Sequence, residues 1–136
     1  MRNVKSSCWL ALGFGLALGC ASGPKSHPLA PGILWAGKWD TNFREMTLHQ
    51  QGNRVWGVVN YHDGSLDGTV DGDVMRFKWF QRENHQHGRG YFRMSPDGQH
   101  LEGRFGYEDN AENGGRWWAD RAEPILNPND VPVPPP

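Results

Sequence analysis

The chain has 136 residues, enough for one small domain, and its 14 basic and 15 acidic residues nearly balance. A formal charge of −1 is not the basic excess that nucleic-acid-binding proteins carry, so we expect no nucleic-acid partner. Two cysteines and a high content of glycine, proline and aromatic residues complete the composition.

The first 19 residues have the organisation of a secretory signal peptide. Arg2 and Lys5 precede a mostly apolar run from position 8 to position 19. The run is too short to span a bilayer, which requires about 20 apolar residues. A short membrane anchor or a core helix is the alternative, but the glycines at positions 13, 15 and 19 weaken a lasting helix. We therefore predict that residues 1–19 are removed.

The sequence Ala17-Leu18-Gly19-Cys20 resembles the lipobox of bacterial lipoproteins. The resemblance implies cleavage before Cys20 by a signal peptidase of type II, followed by acylation of the cysteine. Cys20 would then be the sole cysteine of the processed chain, and two or more acyl chains attach a protein stably to a membrane. Ala21, rather than Asp, follows the cysteine. By resemblance to enterobacterial lipoproteins, this predicts a lipid-anchored protein of the cell envelope, at the outer membrane.

Both ends of the remaining chain are poor in structure-forming residues. Residues 20–32 combine the lipidated cysteine with a Gly/Pro/Ser-rich segment, which predicts a flexible tether. Residues 123–136 end in Val-Pro-Val-Pro-Pro-Pro, which favours a disordered, extended tail. A PxxP-type ligand is the alternative for this tail. The folded domain is expected at residues 33–122.

Between these ends, apolar and polar residues alternate with a period of two, as in half-buried strands. Met75, Phe77 and Trp79 share one face of such a segment. Turn signals such as Asp71-Gly72 and Pro96-Asp97-Gly98 separate the segments, and Asp-Gly is a strong hairpin signal. The pattern predicts an all-β fold, a small antiparallel up-and-down meander of seven to eight short strands.

A repeated glycine indicates whether this sheet stays open or closes into a barrel. Segments 54–59, 65–70 and 100–105 each place a glycine two residues after an apolar residue and two before another. Glycine within a strand marks a bend or a close approach of backbones. Its repetition on successive strands favours tight coiling, and hence a closed or nearly closed barrel.

The motif Gly37-Lys38-Trp39 before the first strand pattern, with Arg121 in the last, resembles the calycin superfamily of lipocalins and avidins. The resemblance implies that Trp39 plugs the barrel base and that Arg121 packs across it, with a cation–π contact. An avidin-sized or smaller barrel is the nearer likeness.

Aromatic and histidine side chains supply the candidate binding residues. Trp56 and Phe80 oppose the apolar faces of their strands, so we expect them to bind a ligand or partner, whereas Trp39, Phe77 and Phe105 are expected in the core. The alternative for all the aromatics is that they fill the core of a small domain.

His85 and His87 form a His-x-His half-site for zinc or copper, or a polar hairpin loop. We retain them as candidates for ligand or partner binding and expect no metal and no cofactor.

The predicted function is binding rather than catalysis. The sequence has neither a G-x-S-x-G nor an H-E-x-x-H motif, so no catalytic residue is assigned. We expect an envelope lipoprotein that binds a protein partner or a small apolar ligand, for example an accessory subunit of an envelope machine. The alternatives are an inhibitor of a periplasmic or secreted hydrolase, acting through a loop at residues 83–88, and an enzyme with carboxylates at the barrel mouth.

Overall fold

The computed structural model describes residues 24–122. The predicted signal peptide, Cys20 and the Pro-rich tail at residues 123–136 lie outside the described residues. Within the described range, no helix has both the length and the apolar character needed to cross a membrane.

Eight antiparallel strands form the domain, and each pairs with the next along the chain. They are β1 (Gly37–Thr41), β2 (Arg44–Gln51), β3 (Arg54–Val59), β4 (Gly64–Asp71), β5 (Val74–Gln81), β6 (His87–Met94), β7 (His100–Tyr107) and β8 (Gly115–Arg121). Because β1 also pairs with β8, the sheet closes into a barrel. The prediction of an all-β up-and-down meander is confirmed, and the closed form is the one observed.

The connections gather at two ends of the barrel. Residues 42–43, 60–63, 82–86 and 108–114 join strands at one end, which we call the mouth. Residues 52–53, 72–73 and 95–99 join strands at the other end, which we call the base. The chain also enters β1 and leaves β8 at the base.

Side chains fill the barrel interior, as the width of eight strands allows. On β5, the side chains of Met75, Phe77 and Trp79 are buried while the residues between them are exposed. This alternation is expected of a strand with one face toward the core and the other toward solvent. Trp39 and Phe77 are core residues, as predicted, whereas Phe105 is only partly buried and packs against the core. The rest of the buried cluster comprises Trp35, Met46, Leu48, Val55, Val59, Leu66, Phe92, Met94, Leu101, Trp117 and Ala119.

Glycines make room for the aromatic rings of this core. Gly103 lies between Phe92 and Trp117 in the register of β6, β7 and β8. A Cβ atom on Gly103 would be 1.8 Å from the carbonyl oxygen of Tyr91, a distance that no packed side chain tolerates. The glycine thus lets neighbouring strands approach closely while large residues from both sides occupy the interior.

The base is closed by Trp39 and Arg121. The Arg121 guanidinium lies 4.1 Å from the centre of the Trp39 ring, the pairing that the calycin resemblance implied. Arg121 also donates hydrogen bonds to the carbonyl oxygens of Leu34, Ala36 and Gly98 at 2.6–3.0 Å. Burial lowers the pKa of Arg121 to about 10, so the side chain remains charged at neutral pH. Gly37 begins β1 with φ 136°, a conformation that glycine adopts without strain.

Residues 24–36 run across the base, and we call them the strap. The carboxylate of Asp73, which is 8% exposed, accepts hydrogen bonds from the backbone N–H of His27 (2.7 Å) and from Arg93 (2.6 Å). Asp73 in turn donates its own N–H to the His27 carbonyl. Asp73 and Arg93 thus contact the strap at Lys25 and His27, and the flexible tether expected at residues 20–32 stays a prediction.

Candidate functional site

The mouth of the barrel contains a pocket of about 120 Å³. Its lining is mainly aromatic, with amide side chains at the rim: Phe43, Val59, Tyr61, His62, Gly64, Ser65, Trp79, Phe80, Gln81, Asn84, Gln86, Phe105, Tyr107 and Trp117. A cavity of roughly 150 Å³ holds one benzene ring. The pocket therefore accommodates one ring or one short apolar group, and no lipid chain.

The strands position the aromatic floor through their inward-facing residues. Phe43, between β1 and β2, lies edge-on to Phe105 and Trp117, with ring centres 5.3 and 5.6 Å apart. Trp79 lies edge-on to Phe105 and Tyr107 in the same way. Such edge-to-face pairs fix ring orientations, so the pocket is preformed by packing among its own walls.

One hydrogen-bond donor in this floor has no partner. The Trp79 Nε1–H donates to the carbonyl of Gly106 at 3.1 Å. By contrast, Trp117 is 5% exposed, and its Nε1 is buried without a hydrogen-bond partner among the described residues. Leaving a buried donor unpaired costs about 1–3 kcal/mol. No acceptor among the described residues offsets that cost.

The rim adds polar groups from the connection between β5 and β6. Asn84 donates to the side-chain oxygen of Gln81 at 2.9 Å and accepts from the backbone N–H of Gln86 at 3.0 Å. These bonds hold the amide side chains of Asn84 and Gln81 at the edge of an apolar pocket. An apolar floor with a few placed polar groups at its edge is the usual construction of a small-molecule site.

His62 and Glu83 form the titratable pair nearest the pocket, with His62 Nδ1 3.0 Å from the Glu83 carboxylate. Ser65 also lines the pocket, but no described hydrogen bond joins its hydroxyl to His62. A nucleophile, a base and an orienting acid must be linked in sequence for activated attack. The described residues do not form that relay in this structure.

A second apolar area lies on the outer wall, over β3 to β5. Val58 and Phe80 are 49% and 37% exposed, and the small Ser65 lies between them in the strand register. Trp56 lies beside them, stacked on His49 and covered by the Arg54 guanidinium at 4.7 Å. We call Trp56, Val58 and Phe80 the outer patch.

The structure brings together three of the four predicted binding residues, since Phe80 pairs with His87 across β5 and β6 and its ring lies near that of His85, whereas Trp56 lies apart. Phe80 borders both the mouth pocket and the outer patch, whereas Trp56 belongs to the outer patch alone. His85 lies in the loop 82–86 with its ring 6.4 Å from Phe80, and His87 is exposed on β6. Within residues 24–122, no group of three His, Cys, Asp or Glu residues is placed to hold a metal ion.

Sequence reasoning missed most of the mouth pocket. The alternation that predicts core residues also includes Trp79, Phe105 and Trp117. These pocket residues differ from the other inward-facing residues only in their position along the strand. The available signal was proximity to a turn, because the last inward residues before a turn line a barrel opening. Phe43 continues the alternation of Trp39 and Thr41 in the sequence, but it lies in the connection between β1 and β2.

Comparison of the chain with models of known protein families, with curated proteins and with solved structures gives no match.

Proposed function

We propose that this protein is a non-catalytic lipoprotein of the cell envelope, anchored through Cys20 at the outer membrane, that binds a small and largely apolar ligand in the mouth of its barrel. One observation carries the binding part of the proposal. The mouth has an aromatic pocket with a buried, unpaired donor, Trp117 Nε1. A ring that bears an acceptor oxygen matches both features.

The distribution of exposed apolar residues supports the mouth as the binding end. The exposed large hydrophobics in the described range are Val58, Phe80 and Tyr107, and each lies within two residues of the mouth end of its strand. The base, in contrast, is covered by the strap and by Arg121. Apolar surface left exposed at one end of a small soluble domain is typical of an interaction site.

The anchor part of the proposal rests on the sequence around Cys20. Replacing Cys20 with Ser should abolish acylation and release the protein from the membrane fraction. Mass spectrometry of the intact protein checks the first outcome, and fractionation checks the second. Retention of the variant in the membrane at the wild-type level would contradict the proposed anchor.

A direct binding test uses phenol and toluene, two rings of similar size of which only phenol carries an oxygen. We expect calorimetry to detect both ligands and Trp117→Phe to weaken phenol binding about tenfold, the value of one net hydrogen bond. Toluene affinity should be unchanged because the ring is retained. The matched control is Trp56→Phe on the outer wall, which should alter neither ligand. Failure of both ligands to bind, or equal effects of the two variants, would overturn the mouth as the site.

A protein partner at the outer patch is a second candidate function. The observation that favours it is that Trp56 Nε1 and His49 Nδ1 are both buried without hydrogen-bond partners among residues 24–122, beneath exposed Val58 and Phe80. Val58→Asp should then abolish partner binding and leave phenol binding intact, because Val58 belongs to the outer patch and does not line the mouth pocket. The inhibitor alternative receives less support, because the loop 82–86 is a short connection held by its own hydrogen bonds.

A further inference from the structure

The outer wall formed by β5, β6 and β7 concentrates basic side chains. Arg76, Tyr91 and Arg104 are directly opposite one another in the strand register, and Lys78 faces Arg89 on the next row. Arg76, Lys78, Arg89 and Tyr91 line an open depression of about 840 Å³ on this wall, and Arg104 lies beside it, opposite Tyr91. We call Arg76, Lys78, Arg89 and Arg104 the basic wall.

The charges of the basic wall are poorly compensated. Within the described range, no carboxylate lies within ion-pair distance of Arg76, Lys78 or Arg104, and Arg89 is 4.0 Å from the fully exposed Asp109. Asp67 is opposite Lys78 on β4, but its carboxylate binds Arg54 at 3.2 Å. Like charges directly opposite each other, such as Lys78 and Arg89, destabilise a sheet. An external anion would relieve that repulsion.

Hydrogen bonds orient two of these side chains without neutralising them. Arg76 donates to the carbonyl of Pro24 at 2.8 Å, and Arg104 donates to the carbonyl of Glu112 at 3.0 Å. Asp109 and Glu112 belong to the connection 108–114 at one border of the depression, so the cations dominate its β5–β6 side.

The basic wall is also the part of the barrel nearest the predicted lipid anchor. Arg76 binds Pro24, which is four residues after Cys20. Four residues span at most about 15 Å when fully extended. The acyl chains on Cys20 would therefore hold this wall within a short distance of the lipid headgroups.

We propose that the basic wall binds the phosphate groups of anionic phospholipids, so that the barrel rests sideways on the membrane with its mouth open to the aqueous side. The orientation of the barrel in this inference rests on the proposed lipid anchor at Cys20. The charge complementarity between the basic wall and anionic lipids does not depend on the anchor. Each Lys or Arg near an anionic membrane surface strengthens attachment roughly fivefold.

The test uses the chain from residue 20 onward with Cys20→Ser, so that acylation does not mask the electrostatic contribution. Vesicles of phosphatidylglycerol and phosphatidylethanolamine are compared with vesicles of phosphatidylcholine by flotation, at low and high salt. Binding should require phosphatidylglycerol and weaken with salt. The double variant Lys78→Gln/Arg89→Gln should lose roughly 20-fold in partition coefficient.

The matched control is Arg44→Gln/Arg82→Gln, which removes the same charge at the mouth and should change partitioning less than about twofold. Circular dichroism verifies that both variants are folded. An equal loss in the two double variants, or equal binding to phosphatidylcholine, would overturn the proposal. So would displacement by inorganic phosphate at constant ionic strength, which would indicate a discrete site for a free anion. The Cys20 acylation test is independent, so failure of the anchor and failure of the basic wall remain distinguishable.

Discussion

His100, on the outer wall at the base, lies between two carboxylates. Its Nδ1 is 2.6 Å from Asp120 and its Nε2 is 2.9 Å from Glu102, which is itself bound by Arg116. Hydrogen bonding to Asp120, and then to Glu102, raises the pKa of His100 above its usual 6.5. Only the doubly protonated imidazolium donates both bonds.

The raised pKa predicts a stability that depends on pH. A group whose pKa is higher in the folded state stabilises the fold fully below its unfolded pKa and loses that effect as pH rises through the folded value. His100→Gln should therefore lower the free energy of unfolding near pH 6. The expected loss is only about 0.5–1 kcal/mol, because His100 and its two carboxylate partners are partly exposed. The loss should vanish near about pH 9.

Urea denaturation at both pH values measures this difference. His87→Gln serves as the control, because the described residues provide no carboxylate partner for the His87 side chain. A loss in His100→Gln that is equal at the two pH values would contradict the assigned role of the imidazolium.

Single residues also mark the limit of prediction from the sequence. The alternation and the Gly37–Trp39 motif were visible in the sequence, and the burial of Trp39 follows from them. The burial of the Asp73 carboxylate could not be predicted from the sequence, since its partner His27 is 46 residues away along the chain. Nothing local distinguishes Asp73 from a solvated turn residue, so its contact with the strap cannot be predicted from the sequence.

At the level of the strands, glycine in the interior face controls closure of the barrel. Gly103→Ala would place a Cβ atom 1.8 Å from the Tyr91 carbonyl oxygen and 3.0 Å from the Phe92 Cα atom. Because backbone cannot yield as a flexible side chain can, we expect a loss of about 2–3 kcal/mol in the free energy of unfolding. Urea denaturation followed by tryptophan fluorescence measures it.

The control for this effect is Gly52→Ala in the turn between β2 and β3. Gly52 has φ 60° but no atom within 4 Å of a new Cβ, so only backbone strain of about 1 kcal/mol is expected. Equal losses in the two variants would show that conformational freedom, rather than space between strands, is the reason for the repeated glycines.

Strand periodicity and Asp-Gly turns were sufficient to predict the meander, because both are local properties. Strand register is not local. It decides that Trp79, Phe105 and Trp117 meet at the mouth while Trp56 remains on the outer wall. Register therefore explains why Trp56 lies on the outer wall, while ligand or partner binding by Trp56, Phe80, His85 and His87 remains a prediction.

For the whole molecule, the two ends of the barrel have different chemistry. The base is closed by Arg121, Trp39 and the strap, which leads back toward Cys20. The mouth is aromatic and carries the unpaired Trp117 donor. We propose that the mouth binds the ligand and that the basic wall contacts the membrane.

The most direct test of this account is an amide chemical-shift map of the protein titrated with phenol. We predict saturable shifts at residues around the mouth, such as Val59, Trp79, Phe105 and Trp117, with Trp56 and Lys78 unaffected. Shifts confined to the outer patch, or absent at every residue up to the solubility of phenol, would contradict the claim that the mouth is the binding site.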